Sequence, residues 1–124
     1  MKEIKTTNAP AAIGPYSQAV ENNGMLFASG QLPVDPATGN MPSTITEQAE
    51  MSLKNVGAIL KEAGYDYKNV IKTTCYLADI KDFAAFNEVY TKYFNTDPKP
   101  ARSCVAVKDI PKGALCEVEV LAVK

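Results

Sequence analysis

The chain has 124 residues with 13 basic and 14 acidic side chains, a formal net charge of −1 and a hydrophobic share of 46%. These values are typical of one globular domain that folds around its own core, and they argue against disorder. The absence of histidine excludes Ser-His-Asp and Cys-His catalysis and any His-ligated zinc, and the near-neutral charge disfavours a nucleic-acid binder.

The cysteines, Cys75, Cys104 and Cys116, form no CxxC motif, and no histidine is present to complete a metal-binding set. We therefore expect no metal site. An odd number of cysteines behind an N-terminus without an apolar leader is typical of a reducing compartment, so we expect a cytoplasmic protein. Apolar runs such as 118–123 are much shorter than the roughly 20 residues that a membrane span requires, so we expect no membrane partner.

The first predicted elements are two short strands joined by a turn. Residues 19–20 and 25–29 flank the sequence Glu-Asn-Asn-Gly at 21–24, where Asn and Gly tolerate a positive φ, and this pattern predicts a hairpin. The segment 30–41 contains several Pro and Gly residues and is predicted to be a loop.

A long helix is predicted to follow this loop. Thr44 and Glu47 fit a capping box, because the Thr hydroxyl can accept a backbone N–H while the Glu side chain reaches back. Gly64 supplies the stop. Between them, apolar residues recur at helical spacing, namely Ala49, Leu53, Val56, Leu60 and Ala63.

A strand and a second helix come next. Residues 70–77 are rich in β-branched and aromatic side chains, which predicts a strand. Asp79 can cap a helix that ends before Pro98 and Pro100. Its buried side is expected to carry Phe83, Phe86, Val89 or Tyr90, and Tyr93 or Phe94.

Two final strands, 101–107 and 115–123, are predicted to pair as an antiparallel hairpin through the connection at 108–114. In that register Glu117 lies opposite Arg102 or Cys104. The order of strands, helix, strand, helix and strands predicts an α+β two-layer sandwich. Both helices then cover one face of a mostly antiparallel sheet, because each has a single apolar stripe to bury.

Arg102 is the first candidate for a functional residue, because it is the only arginine and lies in a strand of otherwise small, apolar residues. A guanidinium group can hold a carboxylate through two parallel hydrogen bonds, which lysine cannot reproduce. The alternative is a structural salt bridge to an acidic side chain, or a charge on an edge strand.

Glu117 is the second candidate, because burying an ionised glutamate side chain in an apolar strand costs on the order of several kcal/mol. Either Arg102 neutralises it, or it is a functional acid–base group. Glu119 is expected to be solvated or to lie at a subunit contact. Cys104 has no His partner and is expected to be a small core residue rather than a nucleophile.

Weaker candidates lie in the N-terminal third. Tyr16 follows a rigid Gly-Pro pair and is either presented to a pocket or packed as an aromatic core plug. Ser29 and Gly30 end a predicted strand, where a glycine lets backbone N–H groups approach an anion closely.

Four blocks of sequence resemble the RidA (YjgF) family over essentially the full chain: AAIGPYSQ at 11–18, SGQLP at 29–33, IKTT at 71–74 and PARSCV at 100–105. The last block, followed by the strand that carries Glu117, is specific to the family. Because Arg102 is present, the chain resembles the enamine/imine deaminase branch of this family.

The resemblance implies one RidA-like domain over residues 1–124 with a chorismate-mutase-like fold, assembled as a homotrimer with pockets between subunits. It implies hydrolysis of reactive 2-imino or enamino acids, such as 2-iminobutanoate and 2-iminopropanoate, to 2-oxo acids and ammonia without a cofactor. The expected partners are this small-acid ligand and copies of the chain.

Carried over residue by residue, the resemblance places Arg102 on the substrate carboxylate and Glu117 on the hydrolytic water. It implies a pocket lined by Tyr16, Ser29, Gly30 and Asn87, to which Cys104 contributes mainly backbone groups. Cys116 departs from the aliphatic residue that the family commonly has before this glutamate.

Two other functions remain open. One is a non-catalytic module that binds small carboxylates or has a regulatory role. The other is a translation-inhibiting ribonuclease, as some relatives are described, which the acidic balance and the missing histidine disfavour.

Overall fold

Six strands form one sheet, and two helices pack against one of its faces in the computed structural model, which describes residues 1–124. Three short 3-10 turns, Tyr67–Asn69, Ile80–Asp82 and Pro111–Gly113, complete the chain. The strands and helices are β1 Lys2–Ile4, β2 Ala19–Asn22, β3 Met25–Gln31, α1 Ile45–Glu62, β4 Val70–Leu77, α2 Phe83–Tyr93, β5 Ala101–Ala106 and β6 Cys116–Val123. The predicted α+β two-layer arrangement is confirmed.

The strand order is β1-β2-β3-β6-β4-β5. All neighbours are antiparallel except β4 and β5, which are parallel because α2 carries the chain between them. The predicted hairpin between the last two strands is therefore wrong. The strand β6 instead lies between β3 and β4.

The burial patterns of the last two strands explain this order. Alternate residues of β6, beginning at Cys116 and ending at Ala122, are at most 4% exposed and face the helices. No residue of β5 is fully buried. A strand with one wholly apolar face is stabilised most at the centre of the sheet, whereas a strand of small, half-exposed residues is tolerated at an edge.

Local signals place most elements where the sequence predicts them. Asn23 and Gly24 have φ values of 51° and 75°, as a two-residue hairpin turn between β2 and β3 requires. Thr44 caps α1 by accepting the backbone N–H of Glu47 at 3.2 Å. The Glu47 side chain accepts the Thr44 hydroxyl at 2.9 Å instead of reaching the backbone, so the capping box is incomplete. Gly64 follows α1 with φ 80°.

The second helix begins later in the chain than the predicted cap at Asp79 indicates. Asp79 caps the 3-10 turn Ile80–Asp82 through the backbone N–H of Lys81, and α2 begins only at Phe83. Phe83 is 39% exposed, whereas Phe86 and Phe94 are completely buried in the core. Neither helix combines the length and the apolar content that crossing a bilayer would require.

The other face of the sheet, which we call the open face, has no helix against it. It carries Phe27, Tyr76, Val105, Glu117 and Glu119, and Phe27 and Val105 are 42% and 46% exposed. An uncovered sheet face with large apolar side chains is typical of a surface that binds another chain.

Candidate functional site

Glu117 lies on the open face of β6, with β3 on one side and β4 on the other. Its register partner on β4 is Tyr76, and Gly30 of β3 lies directly against its carboxyl group. The side chain is half-buried. Burial, with a smaller contribution from the nearby Glu119 charge, raises the pKa of Glu117 above its ordinary value of 4.5. A carboxyl group with a raised pKa is a stronger proton acceptor than an ordinary glutamate, as acid–base catalysis requires.

A cavity of about 520 Å³ opens over this carboxyl group. Its walls include four of the predicted site residues, Tyr16, Ser29, Gly30 and Glu117, which we call the Glu117 cluster. The volume is in the range of small-molecule sites. Tyr16 is 51% exposed at the rim, so it is not an aromatic core plug.

Buried hydrogen bonds fix the segment that carries Tyr16. The amide of Gln18 accepts the backbone N–H of Thr6 at 2.7 Å and donates to the Thr6 and Pro10 carbonyl oxygens at 3.0 and 2.8 Å. The Ser29 hydroxyl donates to the Ser17 carbonyl oxygen at 2.6 Å, joining β3 to this segment. These hydrogen bonds between side chains and backbone groups therefore hold the cavity wall in place.

Sequence analysis gives no role to two polar residues of this region, Tyr76 and Lys112, and it predicts a solvated or subunit-contact position for Glu119. Glu119 also lines the cavity, and it accepts a hydrogen bond of 2.7 Å from the hydroxyl of Tyr76. It is therefore engaged by a neighbouring strand rather than simply solvated. Lys112, in the turn before β6, is the basic residue of the cavity wall. The alternation of β6 places Glu119 on the same face as Glu117, whereas the Tyr76 contact depends on a register that no local pattern encodes.

Arg102, Asn87 and Cys104 form a second group, which we call the Arg102 cluster. Arg102 Nη1 donates to Asn87 Oδ1 of α2 at 2.7 Å. Its guanidinium carbon lies 4.7 Å from the ring centre of Tyr90 and 5.5 Å from that of Phe83. These aromatic faces stabilise the cation without neutralising it.

Arg102 takes part in no salt bridge, because the one ion pair in the structure joins Lys81 to Asp79. The alternative of an internal structural salt bridge is therefore wrong, whereas the other alternative, a charge on an edge strand, agrees with the position of β5 at the edge of the sheet. A guanidinium group has five N–H donors, and here one of them is used by a neutral side chain. The remaining donors and the full positive charge are available to an anion.

The two clusters lie on opposite faces of the sheet. Arg102 and Cys104 align with Thr73 and Cys75, whose side chains are fully buried beneath the helices, whereas Glu117 aligns with Tyr76 on the open face. The prediction that Glu117 lies opposite Arg102 or Cys104 is therefore wrong, because it assumed a hairpin that does not form. Within one chain Arg102 does not neutralise Glu117.

The cysteines are poor nucleophiles in this structure. Burial raises the pKa of Cys75 to about 12 and that of Cys116 to about 11, and it also raises the pKa of the half-buried Cys104 although Arg102 opposes the shift. The thiolate, which is the reactive form, is scarce at neutral pH. No group of three or more His, Cys, Asp or Glu side chains is arranged to hold a metal ion.

Comparisons with known proteins agree over the whole chain. A family model described as Endoribonuclease L-PSP matches residues 6–124. A RutC family protein of Aquifex aeolicus is 50% identical over 125 residues, covering 100% of both chains. The 2-iminobutanoate/2-iminopropanoate deaminase of Mus musculus is 48% identical over 124 residues, covering 99% of this chain and 91% of the mouse protein. The crystal structure of E. coli TdcF with bound serine is similar with a TM-score of 0.95 at 45% identity, covering 100% of this chain and 99% of TdcF.

Proposed function

Because the chain belongs to the RidA/YjgF/RutC family, we propose that it is a cofactor-independent deaminase. It hydrolyses reactive 2-imino acids, such as 2-iminobutanoate and 2-iminopropanoate, to 2-oxo acids and ammonia. The observation that carries this proposal is the half-buried carboxyl group of Glu117, which lines a cavity of ligand size and has a raised pKa. The mouse relative, whose name states this activity, supports the substrate class.

The chemistry requires little more than a positioned water and a proton carrier. The carbon of a protonated imine is electrophilic, so water attacks it while Glu117 accepts a proton, and a carbinolamine forms. Glu117 returns that proton to the nitrogen, and the carbinolamine hydroxyl loses its proton as the C–N bond breaks. The products are a 2-oxo acid and ammonia, which takes up the last proton. Positioning and acid–base catalysis account for the acceleration.

Arg102 is proposed to hold the substrate carboxylate. Its free donors fit the two oxygens of a carboxylate, and its neutral partner Asn87 leaves the charge uncompensated. The serine in the E. coli TdcF structure, a small molecule with an α-carboxylate, supports a ligand of this kind.

A site that uses both Arg102 and Glu117 needs a second copy of the chain, because the two residues lie on opposite faces of one sheet. We therefore propose a homotrimer in which the Arg102 cluster of one subunit faces the Glu117 cluster of the next. The exposed apolar side chains of the open face, Phe27 and Val105, support its burial against other copies.

The test is a coupled assay in which a pyridoxal-phosphate-dependent dehydratase produces the imine from threonine and 2-oxobutanoate formation is followed. Wild-type protein is expected to accelerate this formation. Arg102→Ala is expected to lose at least about a hundredfold, since two hydrogen bonds to a charged group are worth about 1.5–3 kcal/mol each. Glu117→Gln is expected to lose a similar factor, while the exposed control Lys108→Ala retains activity. Unchanged rates in both site variants would overturn the proposal.

Mixing the two inactive variants tests the shared site. After subunit exchange, about a quarter of the sites combine an intact Arg102 from one subunit with an intact Glu117 from another, so partial activity returns. No recovery in an exchanged mixture contradicts a site built between subunits. Mass measurement in solution checks the trimer.

The ribonuclease candidate is favoured by the description of the family model. It is disfavoured by a net charge of −1 and by the absence of histidine. RNA cleavage that persists through purification and disappears in Glu117→Gln would favour it. A protein that binds 2-oxobutanoate without any imine turnover would instead be a small-carboxylate binding module.

A further inference from the structure

Two carboxylates lie side by side on β6. Glu117 and Glu119 are two residues apart and therefore point to the same face of the sheet, with their backbones about 7 Å apart along the strand. Both line the cavity of about 520 Å³ and also a smaller adjoining cleft of about 280 Å³, which Tyr76 and Gly30 share.

The surroundings of the two carboxylates differ. Glu119 accepts the hydroxyl of Tyr76 at 2.7 Å, and this bond holds its carboxyl group against β4. Glu117 accepts no hydrogen bond from the chain, and both burial and the charge of Glu119 raise its pKa. When two neighbouring acids lie in environments as different as these, the two tend to take different roles.

Tyr76 remains a donor throughout the working pH range. Its bond to Glu119, together with burial, raises the pKa of Tyr76 to about 12. Its ring is held by β4, where Tyr76 is the register partner of Glu117. Tyr76 therefore fixes Glu119 in place without itself exchanging a proton.

Other charged or titratable groups also border this pair. Lys112 and Tyr16 lie on the walls of the larger cavity, and Asp109 lies on the wall of the smaller cleft. Lys72 of β4 borders a third recess beside Glu119. The bond from Tyr76 distinguishes Glu119 from Glu117, and none of these other groups is bonded to either carboxylate.

Resting on the proposed deaminase function, we propose that Tyr76 and Glu119 form a positioning pair: Tyr76 holds an ionised Glu119 beside Glu117, so that Glu117 is the carboxyl group that carries the proton during imine hydrolysis. Glu119 touches neither the water nor the imine in this scheme. It acts through its negative charge on Glu117.

The test measures the protonation of the two residues directly, by carbon NMR of the glutamate carboxyl groups as a function of pH. The signals are assigned from their disappearance in Glu117→Gln and Glu119→Gln. In Glu119→Gln the titration midpoint of Glu117 is expected to fall by about 0.5–1 pH unit, because a nearby like charge is removed. In Tyr76→Phe the Glu119 carboxylate is no longer held beside Glu117, so the Glu117 midpoint is expected to fall in the same direction.

A second tyrosine–glutamate pair provides the matched control. The hydroxyl of Tyr93 donates to Glu50 on the helical layer, away from the open face. Tyr93→Phe and Glu50→Gln remove the same kind of bond and are expected to leave the Glu117 midpoint unchanged.

Activity supplies the independent readout. The acidic limb of the kcat/KM profile for imine hydrolysis is expected to move to lower pH in Glu119→Gln by the same amount as the Glu117 midpoint. If wild-type protein hydrolyses imines but Glu119→Gln changes neither the midpoint nor the limb, the positioning pair alone is overturned. If wild-type protein hydrolyses no imine, the deaminase proposal fails and this proton role fails with it. Because Tyr76→Phe removes only one hydroxyl, an unchanged Glu117 midpoint there contradicts the pair even if Glu119→Gln does not fold.

Discussion

The carboxyl group of Glu117 lies directly over Gly30, so that a Cβ atom at Gly30 would stand only 2.8 Å from the Glu117 carboxyl carbon. Real side chains do not tolerate such a contact, and one of the two groups must move. The space left by the missing side chain is therefore what allows the carboxyl group to reach the cavity floor.

Gly30→Ala is expected to displace Glu117 and to lower imine hydrolysis by about a hundredfold, because misplacing a catalytic group by about 1 Å has effects of this size. The control is Gly39→Ala, in an open loop at φ 80° with no atom near its Cβ position. The strain there is expected to cost about 1 kcal/mol of stability and to leave turnover unchanged. Wild-type turnover in Gly30→Ala would show that the Glu117 position does not matter.

Glu117→Gln is expected to stabilise the protein at neutral pH while removing its activity. Burial raises the Glu117 pKa, so the folded chain favours the protonated form. The ionised group is thus a destabilising feature that develops as the pH rises from the unfolded value of about 4.5 through the folded pKa. Thermal unfolding at fixed protein concentration is expected to show a higher Tm for the variant at about pH 8 and no difference near pH 4. A variant that is less stable at the higher pH contradicts this assignment.

Asn87→Ala is expected to raise KM about tenfold with a smaller effect on kcat, because one hydrogen bond to a charged group is worth about 1.5 kcal/mol. The Asn87 amide orients Arg102 through a bond of 2.7 Å. Asn87→Asp is expected to be worse, since its carboxylate would pair with Arg102 and compete with the substrate. Steady-state kinetics distinguish the variants, and the exposed Asn95→Ala serves as control. Equal KM values for all of them would contradict the role of Asn87 in orienting Arg102.

Cys104→Ala is expected to retain most of the deaminase activity. The thiol is half-buried and its pKa is raised, so it supplies little thiolate at neutral pH. Turnover in the coupled assay, compared with Cys75→Ala as a second thiol deletion, measures the effect. A complete loss in Cys104→Ala alone, with the fold intact, would point to a covalent role for this thiol.

Asn55→Ala is expected to cost about 2–4 kcal/mol in the free energy of unfolding. The buried amide of Asn55 donates to the carbonyl oxygens of Leu32 and Val34, each at 2.9 Å, and its removal leaves both without a partner. Denaturant titration at fixed protein concentration measures the loss. Lys54→Ala, at the neighbouring exposed residue, is expected to change the free energy of unfolding by less than about 0.5 kcal/mol. Similar values for the two variants would contradict a structural role for these bonds.

Elements with a local signal were predictable from the sequence. The cap at Thr44, the stop at Gly64 and the turn at Asn23 each depend on a few neighbouring residues, and the structure confirms them. The strand β1 has no such signal, because Ile4 is its one apolar residue and its pairing with β2 lies far along the chain.

Strand order could not be derived in the same way. The choice of β6 as the partner of both β3 and β4 depends on which edges are free once the helices have packed, and adjacency in the chain favoured the wrong hairpin. The candidate residues were found by chemical type, since an isolated Arg102 and a glutamate in an apolar strand are unusual. Their placement on opposite faces followed from the sheet and not from their spacing.

The central position of β6 has a consequence for biosynthesis. Residues 116–123 are synthesised after the other five strands of this sheet, yet they join β3 to β4. Until they emerge, the nascent polypeptide exposes two unpaired strand edges and an incomplete core, a state prone to aggregation. The sheet therefore closes only after β6 has been synthesised, and the cavity beside Glu117 forms only when this strand has been inserted.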